Sequence, residues 1–227
     1  MIRLHGLTKK YQRADGYALR DVNLHVRAGE LVALTGPSGC GRTTLLRVLL
    51  GREQPDSGSA IIVGRNLSRA GATGLAELRR RTGLVMDECG LVERMTVLQN
   101  VALAAQVGGW PYEQSLRMAE EAIARVSLQS CAPCLPRELC TGERKRASLA
   151  RALVTTPDVI LADEPTAGMD PDQALEVLQL LTDAADEGAA VVIACNDLEL
   201  LGSVRGRVLV LNEGRLYEEN WARRACA

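Results

Sequence analysis

The sequence predicts an α/β fold, a parallel sheet covered by helices, and three features point to it. Leu31-Val32-Ala33-Leu34, Val159–Ala162 and Ala190–Ala194 are apolar at every position, as strands buried on both faces are. Stretches with apolar residues three and four apart alternate with them, and strand–helix–strand order favours parallel pairing. The first run leads straight into the glycine-rich turn Gly36-Pro37-Ser38-Gly39-Cys40-Gly41, which a helix follows.

In chain order, Met1–Leu4 reads as a strand, and so does Ala18–Val26, where Leu19, Val22, Leu24 and Val26 alternate with polar residues. Arg42–Leu50 is helical in pattern and Gly51 closes it. Ala60–Val63 and Leu84-Val85-Met86 read as further strands joined by a loop. From about Thr96 to Leu153 the pattern is helical; Pro111 can start a helix that places Leu116, Ala119, Ile123 and Val126 on one face. Asp172–Ala185 is a further helical stretch. The block of helices falls between two halves of the sheet, which suggests an inserted subdomain.

The chain has 227 residues, 47% hydrophobic and 24% charged, an ordinary globular balance. Lys plus Arg is 27 and Asp plus Glu 28, so no overall basic field exists to hold nucleic acid. Only Lys9, Lys10 and Lys145 among the basic residues are lysines. His5 and His25 both lie early, which excludes a late-built Ser-His-Asp triad or a His-rich metal site. Seven scattered cysteines do not make a secreted disulfide framework. Met1–His5 lacks the apolar core of a signal peptide, and no apolar run reaches the ~18–20 residues of a membrane span. The expectation is a cytoplasmic chain, reaching the inner face of a membrane only through a partner.

The turn from Gly36 to Thr44 suits a phosphate. Glycines let successive N–H groups point inward, and the helix start adds partial positive charge. Thr43, beside Thr44, stands where a hydroxyl would ligate Mg²⁺. The strict pattern has Lys before this Thr, whereas here the residue is Arg42. Its charge is kept, but its planar fork is bulkier and cannot take the same point between phosphates, which puts fast phosphoryl transfer at risk. Asp163 and Glu164 end a buried strand: the first can hold Mg²⁺, the second can orient and deprotonate a water.

With these features in place, the chain resembles the ATP-binding subunits of ABC transporters over essentially its whole length. The resemblance rests on Gly36–Thr44, Leu139–Leu153 (Leu-Cys-Thr-Gly-Glu-Arg-Lys-Arg-Ala-Ser-Leu-Ala-Arg-Ala-Leu) and Leu161–Asp170. Met1–Tyr11, Met95–Val101 and the stretch around Asn212–Leu216 make it most similar to the FtsE, LolD and MacB group, FtsE above all. It implies a P-loop NTPase with a RecA-like core, an N-terminal antiparallel β subdomain and an inserted helical subdomain. Residues 1–227 would form one nucleotide-binding domain, with its core in 1–86 and 155–227 and its helical subdomain in 87–154. The implied cofactors are ATP and Mg²⁺. Gly36, Ser38, Gly39, Cys40, Gly41, Arg42, Thr43 and Thr44 would hold phosphates; Tyr11 would stack on adenine or be a half-buried strand aromatic. Thr43 and Asp163 would bind Mg²⁺, and Glu164 would be the general base. Cys140 and Gly142, in the signature Leu139–Glu143, would cap the γ-phosphate of ATP held by an opposite subunit, and Asp170 would lie in a loop signalling between subunits. Two subunits would sandwich two ATPs, as a homodimer or a heterodimer with another ABC ATPase. An integral membrane partner, FtsX-like or a lipoprotein-exporter-like permease, would dock between core and helical subdomain.

Four positions depart from the family pattern. Arg42 replaces Lys, and Cys140-Thr141-Gly142-Glu143 replaces Ser-Gly-Gly-Gln. Asp87 stands where a Gln joins water and metal, and could bind Mg²⁺ or repel the γ-phosphate. Asn196 replaces a γ-phosphate-sensing His and cannot take up a proton. A thiol at Cys140 is a weak donor, and β-branched Thr141 resists backbone angles that Gly permits. Together these predict an FtsE-like subunit, with a role in cell division, whose ATP hydrolysis is slow or needs a partner. The alternatives are a non-catalytic regulatory or assembly subunit and, last, a soluble ABC protein acting on DNA or ribosomes. Cys131 and Cys134 read as incidental, Glu143–Arg146 as a solvated helix face, and Trp110 as a satellite core residue rather than a partner contact.

Overall fold

In the computed structural model, which describes residues 1–12, 16–86, 89–202 and 205–218, the wholly apolar runs become the middle of a sheet. The elements in order are β1 (Ile2–Lys10), β2 (Tyr17–Val26), β3 (Leu31–Thr35), α1 (Arg42–Leu49), β4 (Ser57–Ile62), β5 (Arg65–Asn66), α2 (Ala72–Arg80) and β6 (Thr82–Val85). Then come α3 (Val97–Gly108), α4 (Tyr112–Arg125), two single 3₁₀ turns and α5 (Thr141–Leu153). The chain continues with β7 (Val159–Asp163), α6 (Pro171–Asp186), β8 (Ala190–Ala194), α7 (Leu198–Gly202), β9 (Arg207–Asn212) and β10 (Arg215–Glu218).

Two sheets result. β10-β9-β3-β8-β7-β6 form one, parallel except for β10. Its central strands alternate between two apolar cores. Val32 and Leu34, Val159 and Leu161, and Ala190, Val192 and Ala194 face one core; Leu31 and Ala33, Ile160 and Ala162, and Val191 and Ile193 face the other. Burial on both faces is why these strands carry no alternating polar residue to mark an outside, Thr35 and Asp163 standing only at their ends. β2-β1-β4-β5 form the second sheet, antiparallel, and Leu19, Val22, Leu24 and Val26 lay its apolar face on the first of these cores. This is the predicted α/β class with its N-terminal antiparallel sheet.

The segment between β6 and β7 carries α3, α4 and α5. Thr96 starts α3 with a capping box: its hydroxyl accepts from Gln99 N at 3.2 Å while Gln99 Oε1 accepts from Thr96 N at 2.9 Å. Pro111 is the residue ahead of α4 rather than its first residue, and Ala119, Ile123 and Val126 are buried as the spacing predicts. Buried Asn100 ties down the approach to α3: its amide donates to the carbonyls of Val92, Met95 and Thr96, and its oxygen accepts from Val92 N at 2.7 Å.

Two expectations fail here. The loop expected after Ala60–Val63 contains α2, which buries only Leu78 and starts at Gly71 without a side-chain cap, so neither periodicity nor capping announced it. Trp110 is 43% exposed and is not a core residue. It follows the left-handed α3 terminus at Gly109, in the short link between α3 and α4.

Candidate functional site

The glycine-rich loop is fixed by the strands it passes. Gly36 (φ +145°) lies so close to β9 that a Cβ there would stand 2.0 Å from Leu211 O, and one on Gly41 (φ +110°) would stand 2.1 Å from Ala18 O. No side chain fits either position. Cys40 turns inward and is buried, with its backbone N donating to Pro37 O at 3.1 Å. α1 starts immediately afterwards, with no acidic residue in its first turn. The N–H groups of Arg42, Thr43 and Thr44 therefore sit at a helix start where no intrahelical carbonyl receives them.

Asp163 ends β7 and is 6% exposed. Glu164 follows with φ +47°, a conformation uncommon for a residue with a side chain. Its backbone is held on both sides: its N donates to Ala194 O at 2.8 Å, and its O accepts from Lys145 Nζ at 2.6 Å. Lys145 is 3% exposed, so Glu143–Arg146 is not a solvated helix face. The turn of α5 aims Lys145 inward at β7, an orientation that charge alone does not encode.

The side chains of the two most unusual positions converge on the Glu164 carboxylate. Asn196 Nδ2 donates to Oε1 at 2.8 Å. Arg42 Nη2 stands 3.4 Å from the same oxygen while its Nη1 donates to Gly36 O, and the Arg42 side chain is only 10% exposed. The guanidinium thus spans the mouth of the loop and links it to the acidic strand end.

Ser38, Gly39, Arg42, Thr43, Asp163 and Glu164 line one cavity of about 790 Å³, and Asn196 joins them through Glu164. Asp87 lies outside the described residues. Tyr11 does not line this cavity; its ring lies under Lys9 Nζ at 5.6 Å, and its buried hydroxyl has no hydrogen-bond partner among the described residues. Cys140, Gly142 and Asp170 form a second group. Cys140 caps α5, its sulfur accepting from Glu143 N at 3.4 Å while Glu143 Oε2 accepts from Cys140 N at 2.8 Å. That backbone N–H, ahead of the Cys140 side chain, holds the Glu143 carboxyl below its ordinary range. Thr141 is the first residue of α5 and has no positive φ among the residues that do, so the expected clash of its branched side chain with glycine-like angles does not arise. Asp170 caps α6 by accepting from Gln173 N at 3.0 Å, and a Cβ on Gly142 would stand 2.6 Å from Gln173 Oε1, so this group packs as one unit. Burial pushes the Cys131 thiol up. It donates to Glu143 Oε1 at 3.4 Å, and the described residues contain no group of three or more metal-ligating side chains placed to hold an ion.

The profile of the ABC transporter family matches residues 19–167. The chain belongs to that family. The cell division ATP-binding protein FtsE of Mycobacterium tuberculosis is 36% identical over 219 residues, which cover 96% of this chain and 95% of FtsE. The methionine import ATP-binding protein MetN of Caulobacter vibrioides is 36% identical over 220 residues, 96% of this chain but 66% of MetN, so the chain spans less than two thirds of that relative. Among solved structures, the dimeric bacterial ABC transporter cassette MJ0796 superposes with a TM-score of 0.90 at 31% identity, over 96% of this chain and 98% of that one. The same cassette in a post-hydrolysis dimer bound to ADP and phosphate gives 0.89 at 29% identity, over the same shares of the two chains. The antiparallel sheet, parallel core and helices between β6 and β7 are therefore those of an ABC ATPase. No helix of the described residues is long and apolar enough to cross a membrane.

Proposed function

We propose that this chain is an ATP-binding subunit which couples nucleotide binding to a membrane partner and hydrolyses ATP slowly. The observation that carries the slow step is the Arg42 guanidinium joined to Gly36 O and Glu164 Oε1. The residues present fit Mg-ATP: the N–H groups of the loop and α1 suit phosphate oxygens, and the Thr43 hydroxyl and Asp163 carboxylate are the hard oxygen donors that Mg²⁺ takes. The ion would supply neutralisation of phosphate charge. Arg42 would hold charge at the phosphates but through a fork already engaged. Glu164, as the candidate base, has one oxygen shared between Asn196 and Arg42, which occupies the oxygen that would otherwise face an attacking water. Asn196 donates a hydrogen bond where an imidazole could also carry the proton away.

Cys140, Gly142 and Asp170 would face ATP held by a second subunit, a reading supported by their position apart from the cavity and by the dimeric state of MJ0796. Residues 87–154 would serve as the helical arm against which a membrane permease docks, keeping the chain peripheral at the membrane. Likeness to FtsE supports an FtsX-like partner and a part in cell division; equal likeness to MetN supports an importer as the second reading. A third, non-catalytic subunit, is favoured by the engaged Glu164 side chain. Phosphate release from the purified chain separates these: slow turnover abolished by Glu164→Gln supports the proposal, and ATP binding with no release supports the non-catalytic subunit. Turnover at ordinary ABC rates refutes both.

A further inference from the structure

Cys131, Cys134 and Cys140 stand on the approach to α5, and the turn that holds the first two is anchored from outside. Cys131 ends the first 3₁₀ turn, Gln129–Cys131, and Cys134 N donates to Cys131 O at 3.0 Å. A hydrogen bond of that span closes a turn whose end Cα atoms lie within about 7 Å, the range a disulfide can bridge. The carbonyls of Ala132 and Cys134 accept from Leu98 N at 3.0 Å and Val97 N at 2.9 Å, so the start of α3 fixes the turn in place. Both cysteines are half-buried against the core shared by α3, α4 and α5, while Pro133 between them is exposed. The pair is dry enough to suit thiols or a disulfide, and open on one side to a small reagent.

The same pair reaches the signature. Cys131 Sγ donates to Glu143 Oε1 at 3.4 Å, and the other oxygen of that carboxylate accepts from Cys140 N at 2.8 Å. Glu143 N in turn donates to Cys140 Sγ at 3.4 Å. One carboxylate thus holds a thiol of the turn with one oxygen and the cap of α5 with the other. Cys131 supplies its hydrogen bond only as a thiol, because a disulfide sulfur carries no hydrogen. Burial pushes that thiol above its ordinary range, so it keeps its proton for Glu143 and leaves the first nucleophilic attack to Cys134. Cys140 itself is exposed.

We propose that Cys131 and Cys134 form a thiol–disulfide exchange site for small-molecule disulfides, and that closing their bridge loosens the Cys140–Glu143 cap of α5. The Cys134 thiolate attacks one sulfur of a disulfide RSSR, forming a mixed disulfide and expelling RS⁻. Cys131 then loses its proton to solvent and attacks the Cys134 sulfur, expelling the second RS⁻. Two protein thiols are oxidised to one disulfide while RSSR is reduced to two thiols, so no further oxidant is needed. The bridge closes a loop of only a few residues and draws little stability from restricting the unfolded chain, which keeps it reversible. Glu143 Oε1 then lacks its thiol donor, and the first turn of α5, with Cys140 and Gly142, frays more readily. The bridge stands apart from the ATP-binding reading; only its consequence, a weaker grip on ATP held by a second subunit, rests on that reading.

The test equilibrates the full chain in glutathione buffers from reduced to fully oxidised, alkylates the remaining thiols and maps them by peptide mass spectrometry. Cys131 and Cys134 fall on one tryptic peptide, residues 126–137, and Cys140 on the next, residues 138–144. The expected peptide 126–137 escapes alkylation at both cysteines in oxidised buffer and regains both sites in excess reduced glutathione. After removal of glutathione, N-ethylmaleimide should label Cys140 at least about twofold faster in the bridged chain, the scale of one lost hydrogen bond. In Cys131→Ser, which keeps a donor for Glu143 but cannot bridge, oxidised buffer should leave the Cys140 rate unchanged. Free thiols throughout, glutathione retained on either cysteine, a bridge to any other cysteine, or one that reduced glutathione does not open overturns the exchange site. A bridge that leaves the Cys140 rate unchanged, or an equal change in Cys131→Ser, overturns the link to α5. Neither readout needs nucleotide, so failure here is distinct from failure of the ATP-binding reading.

Discussion

Glu164 Oε1 receives a hydrogen bond from Asn196 Nδ2 at 2.8 Å and lies 3.4 Å from Arg42 Nη2. One oxygen therefore answers to two residues that each replace the expected type. The two replacements act on a single carboxylate, and their effects on hydrolysis are coupled rather than independent.

Restoring both residues should release the carboxylate. Arg42→Lys/Asn196→His is expected to raise steady-state phosphate release by about a hundredfold, the scale of one well-placed electrostatic contact. Each single change should give less than half of that gain in logarithmic terms. A double variant no faster than wild type in a phosphate-release assay would move the limitation to Asp87 or the signature.

Lys145 holds the backbone of Glu164 in its positive-φ turn. Lys145→Met keeps the length of the side chain and removes the closer donor to Glu164 O, leaving that carbonyl with only the longer bond from Ala167 N at 3.3 Å. The expected loss is about 1–3 kcal/mol in urea unfolding. An unchanged unfolding midpoint would mean that the ammonium does not support the turn.

Two glycines should respond differently to alanine. At Gly41 the new Cβ meets the backbone of Ala18 and the φ is +110°, so Gly41→Ala should cost about 2 kcal/mol or more. At Gly142 its one tight contact is with the end of the Gln173 side chain, which can swing aside, so thermal stability should change by less than about 1 kcal/mol. Equal losses in calorimetry would contradict the local geometry.

Glu143 links pH to the start of α5. Its carboxyl is held below the ordinary range by the Cys140 N–H, so its contribution to stability is present above the unfolded-state value and disappears as pH falls through the lowered folded value. The stability advantage of wild type over Glu143→Gln should hold at pH 6 and shrink between about pH 4.5 and pH 3. A difference that stays constant over this window would show that the carboxylate does not cap the helix.

Much of this arrangement was legible in the amino-acid order. Residues 31–34, 159–162 and 190–194 show themselves because the body of a strand covered on both faces is apolar throughout, the polar Thr35 and Asp163 coming only at the strand ends beside the loop. The phosphate loop shows itself through glycines that two neighbouring backbones demand. α2 escaped because a helix that buries only Leu78 leaves no periodic stripe. That Arg47, Arg52, Arg79, Arg80 and Arg151 line the same cavity as Asp163 escaped for another reason: nearly all basic residues of this chain are arginines, so those that converge cannot be told from those that face solvent until α1, α2 and α5 are packed. That Arg42 departs from the loop pattern is plain in sequence; that it turns back to Gly36 O and Glu164 depends on how β7 delivers the carboxylate.

The most direct test mixes the purified chain with radiolabelled Mg-ATP, removes free nucleotide and follows the label over time. Wild type should retain ATP stoichiometrically and largely intact, while Arg42→Lys/Asn196→His should bind it and convert it to ADP. Failure of wild type to retain ATP, or conversion as fast as in the double variant, would contradict slow hydrolysis by an ATP-binding subunit.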